Sequence, residues 1–455
     1  MSTFISGGKT TVLASESMLA GYFASHAKVR PCIFVGMELE VFGVNRENGK
    51  ALSYFGPSGI EAILKNMAGR FGYEPINEAD HVIALKRDDA MITLEPGAQV
   101  ELSAPPAGNV FEVQGQIQRF FGELREVRKD FPGIEWIAAG IQPYSRLDEI
   151  DWVPKTRYGI MAEYFKMHGT LSHEMMKKTA TNQVNFDYLD EEDAMESLRV
   201  AFGITSIVTA MFANSGFSDG APNGFLTRRL EIWNQTAPER AGFLPVFTRP
   251  NRTFADYLDY VLDMPMLFIV RDARWIPMAN KSFRSFIHDG VEDWKATLED
   301  FELHLSTAFP EVRLKQYLEI RGIDCQSPSL IASVAAFWKG LLYQRDTKHE
   351  AWKLVAFATE EERIHLHQEV PKLGLKAKLG KRPIFEIARE LVNLACDSLS
   401  RQTTAGETRS ECQFLAQIQE QIIRSGQCPA EQFLTWYRKK PGRTPAEIID
   451  RLRIA

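Results

Sequence analysis

The sequence predicts an α+β protein: a core mixing helices with short strands, followed from about Ser329 by a region that is nearly all helical. Three observations carry this reading. Helical periodicity recurs in long windows, short runs alternating apolar and polar residues lie between them, and the alternating runs cease after Ser329.

In chain order, "SESMLAGYFASHA", "PSGIEAILKNMAGRFG" and "NVFEVQGQIQRFFGELREVRKDF" repeat apolar residues at helical spacing. Between the first two lies "FVGMELEVFGV", Phe34 to Val44, a strand-like run that carries Glu38 and Glu40. Side chains alternate across a strand, so Met37, Leu39 and Val41 share one face and Glu38, Glu40 and Phe42 the other. Three more runs repeat the pattern. Gln99, Glu101 and Ser103 oppose Ala98, Val100 and Leu102; Gln183, Asn185 and Asp187 oppose Val184, Phe186 and Tyr188; Tyr317, Glu319 and Arg321 oppose Leu318 and Ile320. Glu95 stands just before the Pro96-Gly97 turn. Beyond Ser329, "SLIASVAAFWKGLLYQ", "PIFEIARELVNLACDSLSRQ", "ECQFLAQIQEQIIRSG" and "PAEQFLTWYRKK" read as helices separated by Gly, Pro and polar connections.

A solvated sheet face ordinarily carries Lys, Thr and Ser among its polar residues. These faces carry glutamates, carboxamides and one arginine, a set suited to a hard cation such as magnesium, which takes oxygen ligands and shares them with substrate phosphates. Two carboxylates about 4 Å apart repel by roughly 4 kcal/mol at an effective dielectric near 20, so convergence of several requires a metal, protons or arginines. Lys155 and Arg157 in "PKTRYGIM", and Arg228 and Arg229, which with Trp233 follow the Gly-rich stretch "NSGFSDGAPNGFLT", supply the opposite charge.

Composition excludes several alternatives. The chain has 455 residues, 45% of them hydrophobic, and a net charge of -6, with no Lys/Arg run able to track nucleic acid. No linker or fixed-period repeat divides it. The longest uncharged run, Val200 to Ser218, is interrupted by Gly203, Thr205, Ser206, Thr209, Asn214 and Gly216, so a buried helix entering a loop is expected rather than a membrane span. "GGKTT" at Gly7 to Thr11 lacks the earlier glycine of a phosphate-binding loop, since Thr3 stands there. Five widely spaced cysteines without a CxxC pair indicate neither a zinc site nor a disulfide framework, and with no signal peptide in the first residues a cytoplasmic location is expected.

Read in order, "GMELEVFGV", "LEPGAQVELSAPP", "KTATNQVNFDY", "ANSGFSDGAPNGFLTRRLEIW", "FPEVRLKQYLEIRGID" and "AFWKGLLY" resemble the plant and proteobacterial type of glutamate-cysteine ligase. The likeness runs from about residue 15 to the C-terminus. It implies a glutamine-synthetase-like fold, an antiparallel sheet curved into a funnel with helices outside, forming one catalytic domain over 1–455 with 329–455 as its mostly helical subregion. It also implies joining of the L-glutamate γ-carboxyl to the L-cysteine amine at the expense of ATP, with Mg2+, as the first step of glutathione synthesis. The protein would be a monomer or homodimer without nucleic-acid or membrane partners.

Carried over by motif, Glu38, Glu40, Glu101 and Glu319 would hold magnesium, with Glu95 a fifth carboxylate and Gln183 completing the shell. Asn185, Lys315 and Arg321 would meet the nucleotide, and Arg321, beside Glu319, would contact the phosphoryl group in transfer. Arg157, Thr179, Thr181, Arg229 and Trp233 would frame glutamate. Leu318 and Ile320 on the opposite face are expected to carry the packing, leaving the fold intact when Glu319 or Arg321 is replaced. The chain departs from the family pattern at Leu39 and Val41, where relatives often have His and Lys, at Ala180, where plant enzymes have Cys, and at Ser215-Gly216-Phe217. A ligase of the same fold with another amine acceptor, or a non-catalytic nucleotide-binding paralogue, fits the same motifs.

Overall fold

A computed structural model describes residues 11–29, 33–88, 90–278, 281–402, 409–440 and 442–454. The stretch Gly7 to Lys9 and Cys32 therefore lie outside the described residues. Strand β1 (Val35–Asn45) is the longest element of a nine-stranded sheet and lies at its centre. Its β-branched and aromatic residues suit a pleated surface buried on both sides, and only Gly36 and Asn45 are not fully buried.

The other strands of the N-terminal part are β2 (Glu74–Glu78), β3 (His81–Arg87), β4 (Ala90–Leu94), β5 (Val100–Ser103) and β6 (Ile134–Ile137). With β7 (Asn182–Phe186) and the hairpin of Val312–Leu314 and Leu318–Ile320, they form an antiparallel sheet. It runs from the hairpin through β7, β1, β5, β4 and β3 to β2, while β6 pairs with the far half of β1. Helices α1 (Ile60–Phe71) and α2 (Val110–Arg128) pack on this sheet, as does the helix Pro328–Leu342. Met37, Leu39, Val41, Val100 and Val184 belong to the same core as Ile117, Phe120 and Val334. One face of each strand is thereby used for packing, and alternation commits Glu38, Glu40 and Glu101 to the other.

Further helices are α3 (Thr156–Phe165), α4 (Ser172–Lys178), α5 (Glu191–Met211) and α6 (Arg228–Asn234). Helix α5 alone among the described residues is long and apolar enough to cross a membrane, and it is buried in the core, as the interrupted Val200–Ser218 run led us to expect. The helices at 57–72, 109–131, 383–402 and 429–440 form close to their expected limits. Two do not. "SESMLAGYFASHA" makes only the tight turns Glu16–Leu19 and Ala24–His26, because Gly21 weakens the helix between them and Ser25 Oγ returns a hydrogen bond to the Tyr22 carbonyl at 2.7 Å. "ECQFLAQIQEQIIRSG" divides into three short turns of different pitch, the last a wide one at Gln419–Ile423 that leaves Ile418, Ile422 and Ile423 all buried.

The cysteine expectation is corrected. Cys396 and Cys412 are joined in a disulfide, with Cα atoms 4.7 Å apart. Cys396 lies on the helix Ile384–Gln402 and Cys412 in the turn Glu411–Leu415, so two residues that look isolated by spacing alone are brought together. Cys325 and Cys428 are free and buried.

Candidate active site

The sheet registers build the site. Glu40 lies opposite Glu101 across the β1–β5 pair, Glu38 lies between Ser103 on β5 and Gln183 on β7, and Glu319 lies opposite Asn185. Four motifs far apart in sequence become neighbours on one surface. That surface is not solvated: Glu38, Glu40 and Glu101 are 4%, 7% and 4% exposed. With Glu95, Gln183 and Arg321 they line a cavity of about 100 Å³.

Each carboxylate is held. The Thr181 amide donates to Glu40 Oε2 at 3.0 Å, Asn185 Nδ2 to Glu38 Oε1 at 3.1 Å, and Thr93 Oγ1 to Glu101 Oε2. Gln183 links the two halves, accepting from Arg321 Nη1 at 2.6 Å and donating to Glu40 Oε1 at 3.5 Å. Burial, and then the neighbouring Glu95 and Glu101, raise the Glu40 carboxyl well above the usual range. Burial, Glu38 and Glu95 push Glu101 up to about 7. No three acidic, imidazole or thiol groups among the described residues already form a metal cage. The donor set still fits a hard cation, because acid groups that repel one another into protonation are groups that a divalent ion would ionise.

A pH-dependent stability follows. A raised carboxyl favours the folded state below the unfolded value near 4.5, and this advantage is lost as pH rises through the folded value near 7. The metal-free protein is expected to lose stability between those limits, on the order of a few kcal/mol. Added Mg2+ should raise the thermal midpoint more at pH 8 than at pH 5. Equal Mg2+ shifts at both pH values in a thermal melt would refute this.

The opposite wall is cationic and aromatic. Arg157 on α3 and Arg229 and Trp233 on α6 border the cavity with Thr179 and Thr181. The Arg229 guanidinium is 5.5 Å from the Trp233 ring centroid, and its Nη2 donates to the Arg321 carbonyl at 3.1 Å. Arg228 instead faces Glu174 at 3.6 Å, so only one of the two arginines reaches the site. Three buried donors here, Arg157 Nε, Arg229 Nε and Trp233 Nε1, have no hydrogen-bond partner. The Glu95 turn is pressed against α4 by Gly97, where any Cβ would lie 2.3 Å from the Lys177 carbonyl oxygen. Lys155 is buried behind the wall, its Nζ donating to the Leu94 carbonyl at 2.8 Å.

Three expected residues stand back from the cavity wall: Glu319, Asn185 and Lys315. Glu319 is 0% exposed and surrounded by cations, with Arg313 Nε at 2.5 Å, Arg321 Nη1 at 3.0 Å and Lys315 Nζ at 3.2 Å. Although burial opposes its ionisation, Arg313, Lys315 and Arg321 together hold its carboxyl well below the usual range. Sequence reasoning missed Arg313, which lines the cavity; the signal was available, because Arg313 falls opposite Glu319 in the hairpin register. It also missed the apolar residues Met161, Met175, Met176 and Phe309, which sit on helices and on a two-residue strand too short to show a period-two mark.

The model of the glutamate-cysteine ligase family 2 matches residues 34–448. A chloroplastic glutamate-cysteine ligase from Nicotiana tabacum is 35% identical over 448 residues, covering 97% of this chain and 84% of its own. The Arabidopsis thaliana protein of the same name is 35% identical over 446 residues, 97% of this chain and 83% of its own. A crystal structure of the Francisella tularensis glutamate-cysteine ligase in complex with AMP shares the fold, with a TM-score of 0.54 at 11% identity over 94% of this chain and 88% of that one. The expected cytoplasmic location is overturned by these comparisons, since the plant relatives from tobacco, tomato, Arabidopsis and rice are all named chloroplastic.

Proposed function

This chain belongs to the glutamate-cysteine ligase family 2, and from that membership we propose that it activates the γ-carboxylate of L-glutamate with ATP and then joins it to the amine of L-cysteine. The observation that carries this reading is that one cavity has two walls of opposite character. Three orphan donors line the same cavity as a cluster of carboxylates, and buried donors without partners mark a place for acceptors the protein itself does not supply. A carboxylate-bearing amino acid satisfies the Arg157, Arg229 and Trp233 donors. A divalent cation satisfies Glu38, Glu40, Glu95 and Glu101, with the Gln183 carboxamide beside them. Glu319 joins that set only by giving up one of its three cations.

A free carboxylate does not acylate an amine, because its oxygen is a poor leaving group. In the proposed sequence a glutamate γ-carboxylate oxygen attacks the ATP γ-phosphorus, the bond to the bridging oxygen breaks, and ADP departs. Arg321 and Arg313 reach the same cavity and offset charge on the phosphoryl oxygens. Mg2+, if held by these carboxylates, would supply positive charge that offsets the charge on the nucleotide phosphates. The neutral cysteine amine then attacks the acyl carbon, phosphate leaves with both electrons of the carbon–oxygen bond, and the amine proton passes to solvent. Asn185 and Lys315 lie behind Glu38 and Glu319, toward the nucleotide in this reading. The whole chain acts as one catalytic unit in this reading, as a monomer or homodimer.

Purified protein should release ADP only when glutamate, cysteine and Mg2+ are all present, with γ-glutamylcysteine as the product by mass. ADP release that requires a different amine would make the protein a ligase with another acceptor. Nucleotide binding without turnover across a panel of amino acids would make it a non-catalytic paralogue.

A further inference from the structure

Helix α6 spans seven residues yet presents both Arg229 and Trp233 to the cavity. So short a helix has little stability of its own, and contacts outside it must set its place. Two hydroxyls meet its first turn. Ser215 Oγ accepts the Arg229 amide proton at 3.0 Å, and Thr227 Oγ1 accepts that of Leu230 at 3.2 Å.

A hydroxyl that accepts a proton still has its own to donate. Both hydroxyls donate to the same carboxylate: Ser215 Oγ to Asp324 Oδ2 at 2.7 Å and Thr227 Oγ1 to Asp324 Oδ1 at 3.0 Å. The Asn214 amide adds a third donor to Oδ2 at 2.6 Å. Asp324 is 0% exposed, and space for it exists only because residue 140 is glycine; a Cβ there would lie 2.5 Å from the Asp324 Cγ. Asp324 also follows closely on Arg321, whose carbonyl accepts from Arg229 Nη2 at 3.1 Å and from Thr181 Oγ1 at 3.2 Å.

We propose that Asp324 is a positioning residue, which through Ser215 and Thr227 sets Arg229 and Trp233 at a fixed distance from Arg321. The segment Arg321–Asp324 then links the phosphoryl end of the cavity to its glutamate end. This inference rests on the proposed reading of the Arg229 wall as the glutamate site. All three groups at Asp324 are donors, so only an acceptor on both oxygens fits; asparagine would turn an NH2 group against a donor. Unlike Glu319, which Arg321 Nη1 meets at 3.0 Å, the Asp324 carboxylate takes its hydrogen bonds from Ser215, Thr227 and the Asn214 amide on the Arg229 side, so its loss should act on glutamate binding.

The test is steady-state ADP release by wild type and Asp324→Asn at saturating cysteine, with KM measured for glutamate and, separately, for Mg2+–ATP. The expected result is a glutamate KM raised by about tenfold or more, as loss of charged hydrogen bonds implies, with the Mg2+–ATP KM within about twofold. Ser215→Ala and Thr227→Val each cut one relay and should raise the glutamate KM by about fivefold. They also decide the question should Asp324→Asn fail to fold. Gly140→Ala, which pushes Asp324 aside without removing it, should shift the same constant. A purely structural role lowers the active fraction and therefore kcat, leaving KM unchanged; an unchanged glutamate KM in Ser215→Ala and Thr227→Val would overturn the inference. Wild-type protein that releases no ADP with glutamate would instead remove the proposed function, and this inference with it.

Discussion

Replacing Arg321 with Lys is expected to lower ADP release at saturating substrates by about 10²- to 10³-fold, the scale of losing one preorganised donor to developing charge. Arg321 Nη1 is already committed to Gln183 Oε1 at 2.6 Å and Glu319 Oε2 at 3.0 Å, so the rest of its planar fork is aimed rather than free. Lysine keeps the charge but cannot hold two protein acceptors and a phosphoryl oxygen in one plane. Mg2+–ATP affinity should change far less than turnover, because the ground-state nucleotide retains its other contacts. Single-turnover kinetics with nucleotide binding measured in parallel would check this, and equal losses in both would place Arg321 in nucleotide binding alone.

Glu319→Gln is expected to destabilise the fold by about 3–5 kcal/mol, the cost of breaking a buried ion pair from one side. The expectation that Leu318 and Ile320 alone would preserve the fold left out this charge. The Glu319 carboxylate is the shared counter-charge of Arg313, Lys315 and Arg321, and the first of these is itself buried. An amide in its place leaves three cations facing one another. The pH sign is opposite to that of Glu101. A carboxyl held below its unfolded value adds stability above that value, and the stability is lost as pH falls through the depressed one. Urea unfolding of wild type and Glu319→Gln should therefore differ at pH 7 and converge in acid; parallel curves at all pH values would refute it.

The sequence made the strands legible where alternation is strict. Glu38, Glu40, Glu101 and Gln183 fall on the cavity side because period two admits only two faces, and one is filled by Leu39, Val41 and Val100. What alternation cannot supply is depth. Glu319 and Asn185 are paired across the sheet, yet Arg313, opposite Glu319 in the hairpin, lines the cavity and they do not. Arg229 was chosen through family resemblance, and nothing in "LTRRLEIW" distinguishes it from Arg228 until α6 turns one inward and the other toward Glu174. The Cys396–Cys412 pair was illegible for a related reason, since a reversal of chain direction leaves no period in the sequence.

The direct facing of Glu40 and Glu101 bears on how this chain can vary in length. A residue gained or lost within β1 moves every later side chain to the opposite face, driving carboxylates into the packed core and leucines into the cavity. The outer edge has no such constraint: the β2–β3 pair already absorbs an irregularity between Ile76 and Asn77, and its strand residues meet no catalytic neighbour. Length changes are thus tolerable at the rim and forbidden at the centre, so the spacing from Glu38 to Glu40 is fixed by the same pleat that holds the sheet together.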